Sequence, residues 1–313
     1  MVTHPNSWTL WFILPLRSNP RVVIVVADSG STKCDWLLVD DKGTPLFEKQ
    51  RTKGLNPAIL LRPKLRSTIA KNKVMAAERQ KATHVYFYGA GCGTPKPTKM
   101  LKEVLEEYFP NAVVDVKEDT YAAAYAAVGA EMKPAIICIL GTGSNCSFFD
   151  GEKLHQRVTS LGYAVMDDAS GNYFGRRLIR DYYFSLMPEN LKISFSERYD
   201  LESDAIKAKL YKKPNPNAYL ASFAEFMFLN KESEYIENLI KSGIREFAKT
   251  MIFQFKEYLE EYPVHFAGSI AFFAQEEIRA VGKEMGFKVG VFERRPIEGL
   301  IRYHVNNLNN KGA

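Results

Sequence analysis

Two short turns rich in glycine and hydroxyl side chains recur in this chain: Asp28-Ser29-Gly30-Ser31-Thr32, followed by Lys33, and Gly141-Thr142-Gly143-Ser144-Asn145. Each follows an apolar run and precedes a second one, within Val22 to Asp40 and within Ala135 to Asp150. Small residues let backbone approach a ligand closely, and their N–H groups can face an anion. Two such turns could grip a polyphosphate from both sides. Ser31, Thr32 and the amides of the first turn could hydrogen-bond phosphate oxygens, and Asp28 could hold Mg²⁺ directly or through water. Asp119 closes the run AVVDVKED and opens an alanine-rich stretch, TYAAAYAAV. An acid there can cap a helix, or it can take a hydroxyl proton during phosphoryl transfer. Gly268-Ser269 stands between another apolar run and a helical pattern, where it could pack against a base or ribose or simply cap the helix.

Other chemistries lack their motifs. Neither turn is a GxxxxGK[ST] loop, and no GxGxxG opens a helix after a strand, so P-loop and dinucleotide-binding readings fail. No GxSxG elbow supports a hydrolase triad. His4, His84, His155, His265 and His304 show no metal-ligand spacing. Cys34, Cys92, Cys138 and Cys146 are far apart in sequence and form no CxxC, which argues against a zinc site or a disulfide framework and fits a reducing cytoplasm. Cys34 and Cys146 hold matching places after the two turns and read as buried thiols.

The 313 residues suffice for two ordinary domains, and 46% hydrophobic content supports a sizeable core. The net charge of +6 comes from 42 basic residues interspersed with 36 acidic ones. With no basic block, nucleic acid is not an expected partner. Trp8 to Leu16 is apolar but too short to span a bilayer, and it lacks the flanks of a signal peptide. Residues 1–20 therefore read as a poorly ordered extension, and no membrane partner is expected.

The elements that would carry these turns can be read from periodicity. Val22–Ala27 is a strand buried on both faces, Lys33–Asp40 a second strand and Thr44–Arg51 a third, forming an antiparallel meander. Leu60–Lys81 is helical, Thr83–Tyr88 a strand, Pro97–Phe109 an amphipathic helix, Ala112–Val116 a strand and Thr120–Val128 a helix. The pattern restarts at Ala135 with strand, turn, strand and a hairpin turn at Asp150-Gly151. Helices follow over Gly171–Phe184, Glu202–Leu210 and Ala218–Leu259, the last broken near Asn230. A strand over Val264–Phe266, a helix to about Met285, a strand over Lys288–Phe292 and a helix over Ile297–Asn307 complete the chain. A duplicated meander with helix–strand units predicts two α/β domains facing a cleft.

Taken together, DSGST, Asp119 before the alanine-rich helix, GTGSN, MDDASG and AGS resemble, in order, the sugar-kinase/actin/heat-shock ATPase superfamily. Within it the chain from Val22 onward resembles the BadF/BadG/BcrA/BcrD ATPase family, in its N-acetylglucosamine kinase branch. The resemblance implies two ribonuclease-H-like (actin-like ATPase) domains flanking an ATP cleft: residues 21–119, and residues 120–313 with a helical insert and a last helix packing back on the first domain. It implies ATP and Mg²⁺ as cofactors. Gly30, Ser31, Thr32, Lys33, Gly141, Thr142, Gly143, Gly268 and Ser269 would bind ATP, Asp28 the metal, and Asp119 would be the base. Asn56, Ser144, Asn145, Gly162 and Asp167 would bind an amino sugar, most readily N-acetylglucosamine, phosphorylated on its 6-hydroxyl. A homodimer is a family expectation. The family's GDEG segment is here Met166-Asp167-Asp168-Ala169, two glycines fewer. The family also contains ATPase activators of 2-hydroxyacyl-CoA dehydratases and benzoyl-CoA reductases, which hold an iron–sulfur cluster with cysteines. No cysteine here sits in such a context.

Overall fold

The computed structural model describes residues 22–30 and 33–311. The extension of residues 1–20 lies outside them, as do Ser31 and Thr32 of the first turn. The first half contains β1 (Ile24–Ser29), β2 (Lys33–Val39), β3 (Gln50–Lys53), α1 (Arg62–Ala70), α2 (Lys73–Glu78), β4 (His84–Gly89), α3 (Pro95–Tyr108), β5 (Val113–Glu118) and α4 (Asp119–Val128). The second half begins with β6 (Ala135–Leu140), β7 (Ser144–Phe149) and β8 (Leu154–His155). An insert follows: α5 (Gly171–Tyr183), α6 (Glu189–Arg198), α7 (Ser203–Tyr211), α8 (Pro216–Ser222), α9 (Glu225–Leu229) and α10 (Glu234–Thr250). The chain closes with β9 (Val264–Ala267), α11 (Ser269–Phe273), α12 (Gln275–Met285), β10 (Val289–Glu293) and α13 (Pro296–Lys311).

The two sheets have one topology. The first is ordered β3-β2-β1-β4-β5 and the second β8-β7-β6-β9-β10, each with an antiparallel meander on one side and parallel strands on the other. Burial of the founding strand on both faces explains its continuous apolar run. Val25 and Ala27 join the cluster of Trp36, Phe87 and Leu101, whereas Ile24 and Val26 join that of Ala123, Ile137 and Leu300. The second cluster draws on both halves of the chain, so it fastens one sheet to the other. The aromatic residues of the insert, including Phe174, Phe195, Phe226 and Phe247, join one core with Cys138, Phe148 and Phe266 of the second sheet.

Helices α4 and α13, each following the last parallel strand of its sheet, cross between the sheets. Their backbones come close at Gly299, where a Cβ would stand 2.6 Å from the Ala126 Cβ. Helix α13 also meets the first sheet: His304 stacks on Tyr86 with ring centroids 3.5 Å apart and shares a hydrogen bond with the Tyr88 hydroxyl at 2.8 Å. Tyr303 stacks on Tyr125 of α4.

Several boundaries differ from the sequence reading. The third strand forms at Gln50–Lys53, not over Thr44–Arg51, because Pro45 cannot donate to a ladder and makes only a bridge to Val39. The long helix over Leu60–Lys81 is two helices, interrupted where the Asn72 side chain accepts from the Met75 N–H and starts a new one. The stretch expected to be helical over Ala218–Leu259 is three helices and a 3₁₀ segment, Ile252–Tyr258. Cys138 and Cys146, on the two strands of one hairpin, are direct partners across β6 and β7 with sulfurs 3.6 Å apart, both buried and free.

His304 is buried, and burial, with Lys117 and His84 nearby, pulls its pKa down from 6.5 to about 3. The unfolded chain therefore binds a proton below pH ~6.5 that the folded chain refuses until about 3, so this residue makes stability fall as pH drops through that window. Between pH 7.5 and 5 the loss amounts to roughly 2 kcal/mol. Denaturant melts at those two pH values should show a smaller difference for His304→Gln than for the wild type.

Candidate functional site

The site is built from strand ends. Strand β1 runs parallel to β4, and β4 to β5, in register, with Ser29 beside Gly89 and Gly89 beside Glu118. All three strands therefore end in one row, which places Asp28 and Asp119 at the same edge of the sheet. In the second sheet β6 and β9 are parallel with Ile139 beside Ala267, so Gly141 and Gly268 emerge together.

Both carboxyls of the first sheet are partly buried and perturbed. The Asp28 carboxyl is pushed up to about 6 by burial and then by the Asp119 and Asp35 carboxylates, against the pull of Lys33. That of Asp119 rises to about 6 through burial and the neighbouring Glu118, offset by the N–H groups of Asp119 and Thr120. Asp119 is the first residue of α4, and the preceding residue, Glu118, makes no side-chain cap. Asp119 is thus not the capping residue, and only backbone N–H groups at the helix start hold its carboxylate.

The second turn is braced by the loop before α5. The Gly171 N–H donates to the Gly141 carbonyl at 2.7 Å, and the Asn172 N–H and amide Nδ2 both donate to the Thr142 carbonyl at 3.1 and 2.6 Å. These carbonyls are engaged and do not oppose an incoming anion. Asp167 joins the same knot: it accepts from the Ser144 N–H at 3.3 Å and from Asn172 Nδ2 at 2.9 Å, and a Cβ at Gly143 would stand 2.8 Å from its carboxylate. Asp167 and Ala169 both lie in the left-handed region, with φ of 69° and 56°. Only the first of these residues has a short polar side chain suited to that conformation.

Gly268 has φ of 107°, and a Cβ there would fall 2.4 Å from the Leu140 carbonyl oxygen. Its N–H donates to the Glu293 carbonyl at 2.9 Å, so the turns after β6 and β9 and the end of β10 form one surface. Ser269 opens α11. In the first domain Asn56 packs on Gly91, whose Cβ position lies 2.0 Å from the Asn56 oxygen, and that oxygen accepts from the Ala58 N–H at 2.9 Å. Ser29 ties this loop to β1 by accepting from the Leu55 N–H.

Of the residues singled out from sequence, Asp28, Gly30 and Asp119 share the end of the first sheet, with Asn56 on the adjoining loop. Gly141, Thr142, Gly143, Ser144, Asp167, Gly268 and Ser269 gather at the end of the second. Asn145 lies in β7 opposite Ile139 and accepts from Ser147 Oγ. Lys33 is exposed at the start of β2, beside Lys53. Gly162 turns its own loop, its carbonyl accepting from the Met166 N–H, and has open space around its Cα. Ser31 and Thr32 are outside the described residues. Two participants escaped sequence reasoning. Asn172, 1% exposed, clamps the second turn to Asp167. Glu118 lies against Gly93, whose Cβ position is 3.1 Å from its carboxyl. Glu118 could have been noticed as the second acid of the pair at the strand end, whereas Asn172 left no such signal.

Among the described residues no group of three or more His, Cys, Asp or Glu side chains could cage a metal ion. A lone carboxylate such as Asp28 suits Mg²⁺, which ordinarily keeps its waters and takes one or two carboxylates together with substrate phosphates.

Two sheets of one topology, the first ending in paired acids and the second in glycine turns, define a two-domain actin-like ATPase fold. In solved structures, the chain is similar to the "Putative N-acetylglucosamine Kinase (PG1100)" from Porphyromonas gingivalis, with 35% identity and a TM-score of 0.83 over 91% of this chain and 99% of that one. The chain belongs to the family of that protein. A "Putative N-acetylglucosamine Kinase" from Chromobacterium violaceum matches with 17% identity and a TM-score of 0.67, over 90% of this chain and 98% of that one. A ROK family glucokinase from Streptomyces griseus, solved with glucose and AMPPNP, shares the fold at 16% identity and a TM-score of 0.56, over 93% and 100% of the two chains. No family model matches the chain, and no curated protein matches it.

The closeness of Gly268 to the second turn gives a direct test. Gly268→Ala forces a Cβ against the Leu140 carbonyl at a backbone angle that L-residues rarely adopt. It should cost about 2 kcal/mol in stability and weaken ATP binding about tenfold or more, measured by thermal melting and nucleotide titration. Unchanged values on both would remove Gly268 from the nucleotide surface.

Proposed function

We propose that this protein is an ATP-dependent kinase that phosphorylates the 6-hydroxyl of an amino sugar, with N-acetylglucosamine as the favoured acceptor. The observation that carries this reading is Asp119: a partly buried carboxyl at the end of β5, raised to about 6, in the row that also holds Asp28. Membership of the same family as the Porphyromonas gingivalis protein adds support. All four cysteines are buried, which disfavours the reading as an activator carrying a cluster between subunits.

In this reading the Asp119 carboxylate accepts the acceptor's hydroxyl proton as that oxygen bonds to the γ-phosphorus. The bond from the γ-phosphorus to the bridging oxygen breaks, and ADP departs with the electron pair. The amides and hydroxyls of the turns at Gly30–Lys33 and Thr142–Gly143, together with Ser269, hold the phosphates and ribose, while the Gly141 N–H, which donates to the Gly143 carbonyl at 2.9 Å, shapes the second turn. Mg²⁺, held through Asp28 and water, would neutralise charge on the phosphate oxygens. Asn56, Ser144, Asn145 and Asp167 orient the sugar, and Asn172 keeps Asp167 against the phosphate turn. Gly162 gives the sugar-side loop its turn. Closure of the domains excludes water, which protects ATP from hydrolysis.

A base must be ionised to act, so kcat/KM should rise with pH through about 6 and level off above it. Replacing the base should leave only the part of this limb that Asp28, also raised to about 6, contributes. Asp119→Asn should bind ATP normally and lose ~10²–10⁴-fold in sugar-dependent ADP release, followed with a panel of amino sugars and hexoses and a sugar-free control. Near-normal phosphorylation by that variant would refute the assignment, and no sugar-dependent turnover by the wild type would refute the kinase.

A further inference from the structure

The hairpin of β2 and β3 gathers Lys33, Lys49, Arg51 and Lys53. Lys33 and Asp35, two residues apart in β2, point to the same side of the sheet. Lys33 stands directly opposite Lys53, and Asp35 opposite Arg51. Asp35 is also the partner of Asp28 across β1, so all of these residues share the face on which Asp28 lies. The Asp35 carboxylate is already engaged, by Arg51 at 2.6 Å and by the Lys49 ammonium at 3.6 Å. Lys33 and Lys53 are both exposed, and among the described residues neither has a carboxylate partner.

Like charges set directly opposite each other across a ladder are destabilising. Lysine is a common guard of an open sheet edge, and β3 is such an edge, but a guard needs no second lysine opposite it on the inner strand. The place of the pair is also particular. Lys33 begins β2 directly after the first glycine turn, and Lys53 ends β3. Both therefore prolong the row of strand ends that holds Asp28 and Asp119. The chain just past Lys53 is tied to that row as well, because the Leu55 N–H donates to Ser29 Oγ at 3.0 Å.

In the kinase reading the nucleoside end of ATP belongs to the turn at Gly268-Ser269 in the second domain, and the reacting end must reach Asp28 and Asp119. The terminal phosphate is the part that comes to this row, and it carries the charge that ADP lacks. A lysine ammonium, a compact charge with three donors on a flexible stem, suits it. We infer that Lys53, set against Lys33, binds the terminal phosphate of ATP and makes the site prefer ATP to ADP. The inference rests on the ATP-dependent part of the reading above and adds a specificity-determining residue to it.

Titration of the wild type, Lys53→Gln and Lys53→Arg with a non-hydrolysable ATP analogue and with ADP tests it, each with Mg²⁺ and at one fixed salt concentration. Lys53→Gln should weaken the ATP analogue about tenfold, the loss expected of one charge-assisted contact, and change ADP less than about twofold. Lys53→Arg, which keeps the charge, should recover most of the affinity. Both variants should melt with the wild type, since the side chain is exposed, and this separates a lost contact from a lost fold. Equal losses for the two nucleotides would make Lys53 a source of general attraction, and no loss would make it an edge guard; either result overturns the inference. Sugar-dependent ADP release, measured alongside, keeps the two readings apart. A wild type that shows the ATP preference without such release loses the kinase assignment and keeps the lysine pair, whereas one that binds neither nucleotide loses both.

Discussion

The organisation of this protein depends on parallel strands that stop together. Because β1, β4 and β5 end in one row, two acids from distant parts of the sequence meet at a single sheet edge, where partial burial and neighbouring carboxylates, Asp119 and Asp35 for the first and Glu118 for the second, lift both carboxyls. The same register in the second sheet aligns the turn after β6 with that after β9. Neither turn is a site alone. Hydrogen bonding along the strands fixes how far each turn protrudes, and the covering hydrophobic clusters fix that register by deciding which side chains point inward.

The second phosphate turn shows how such an edge is made rigid. A loop of three small residues would be mobile on its own, yet its carbonyls are tied by Gly171 and Asn172 and its flank is filled by Asp167. Asp167 and Ala169 adopt left-handed backbone to reach it. Ala169 stands where the resembling family has glycine, so the conformation persists without the residue that makes it easy. Such strain, on the order of 1–2 kcal/mol per residue, is sustained because the knot over-determines the loop.

Much of this was legible from residues alone. The Val-rich run of β1 and the recurrence of strand, turn and strand at Ala135 gave two matching sheets, and Asp119 stood out as an acid between a strand and a helix. What failed did so for identifiable reasons. Helix α6 was missed because its buried residues are Leu191 and Phe195 while Ile193 between them is exposed, which blurs the helical period. The break at Asn72 turned on one side-chain cap within an otherwise helical pattern. Asn172 looks like any polar residue in a first helical turn, and its role depends on a loop folded far away in sequence. The pairing of Cys138 with Cys146 was accessible in principle, since a tight turn over residues 141–143 places those two opposite each other, but only once the hairpin register is drawn.

The crossing of α4 and α13 sets how the halves can move. At Gly299 the helices touch through almost bare backbone, and one turn further along α13 the rings of Tyr303 and His304 lie flat against Tyr125 and Tyr86. Stacked rings and a glycine contact tolerate rotation about the crossing point far better than sliding along it, which would drive Ala126 into a bulkier neighbour. The pair therefore behaves as an axle. A small turn about it would be felt most at the parts of each sheet farthest from the crossing, with the joint itself scarcely disturbed.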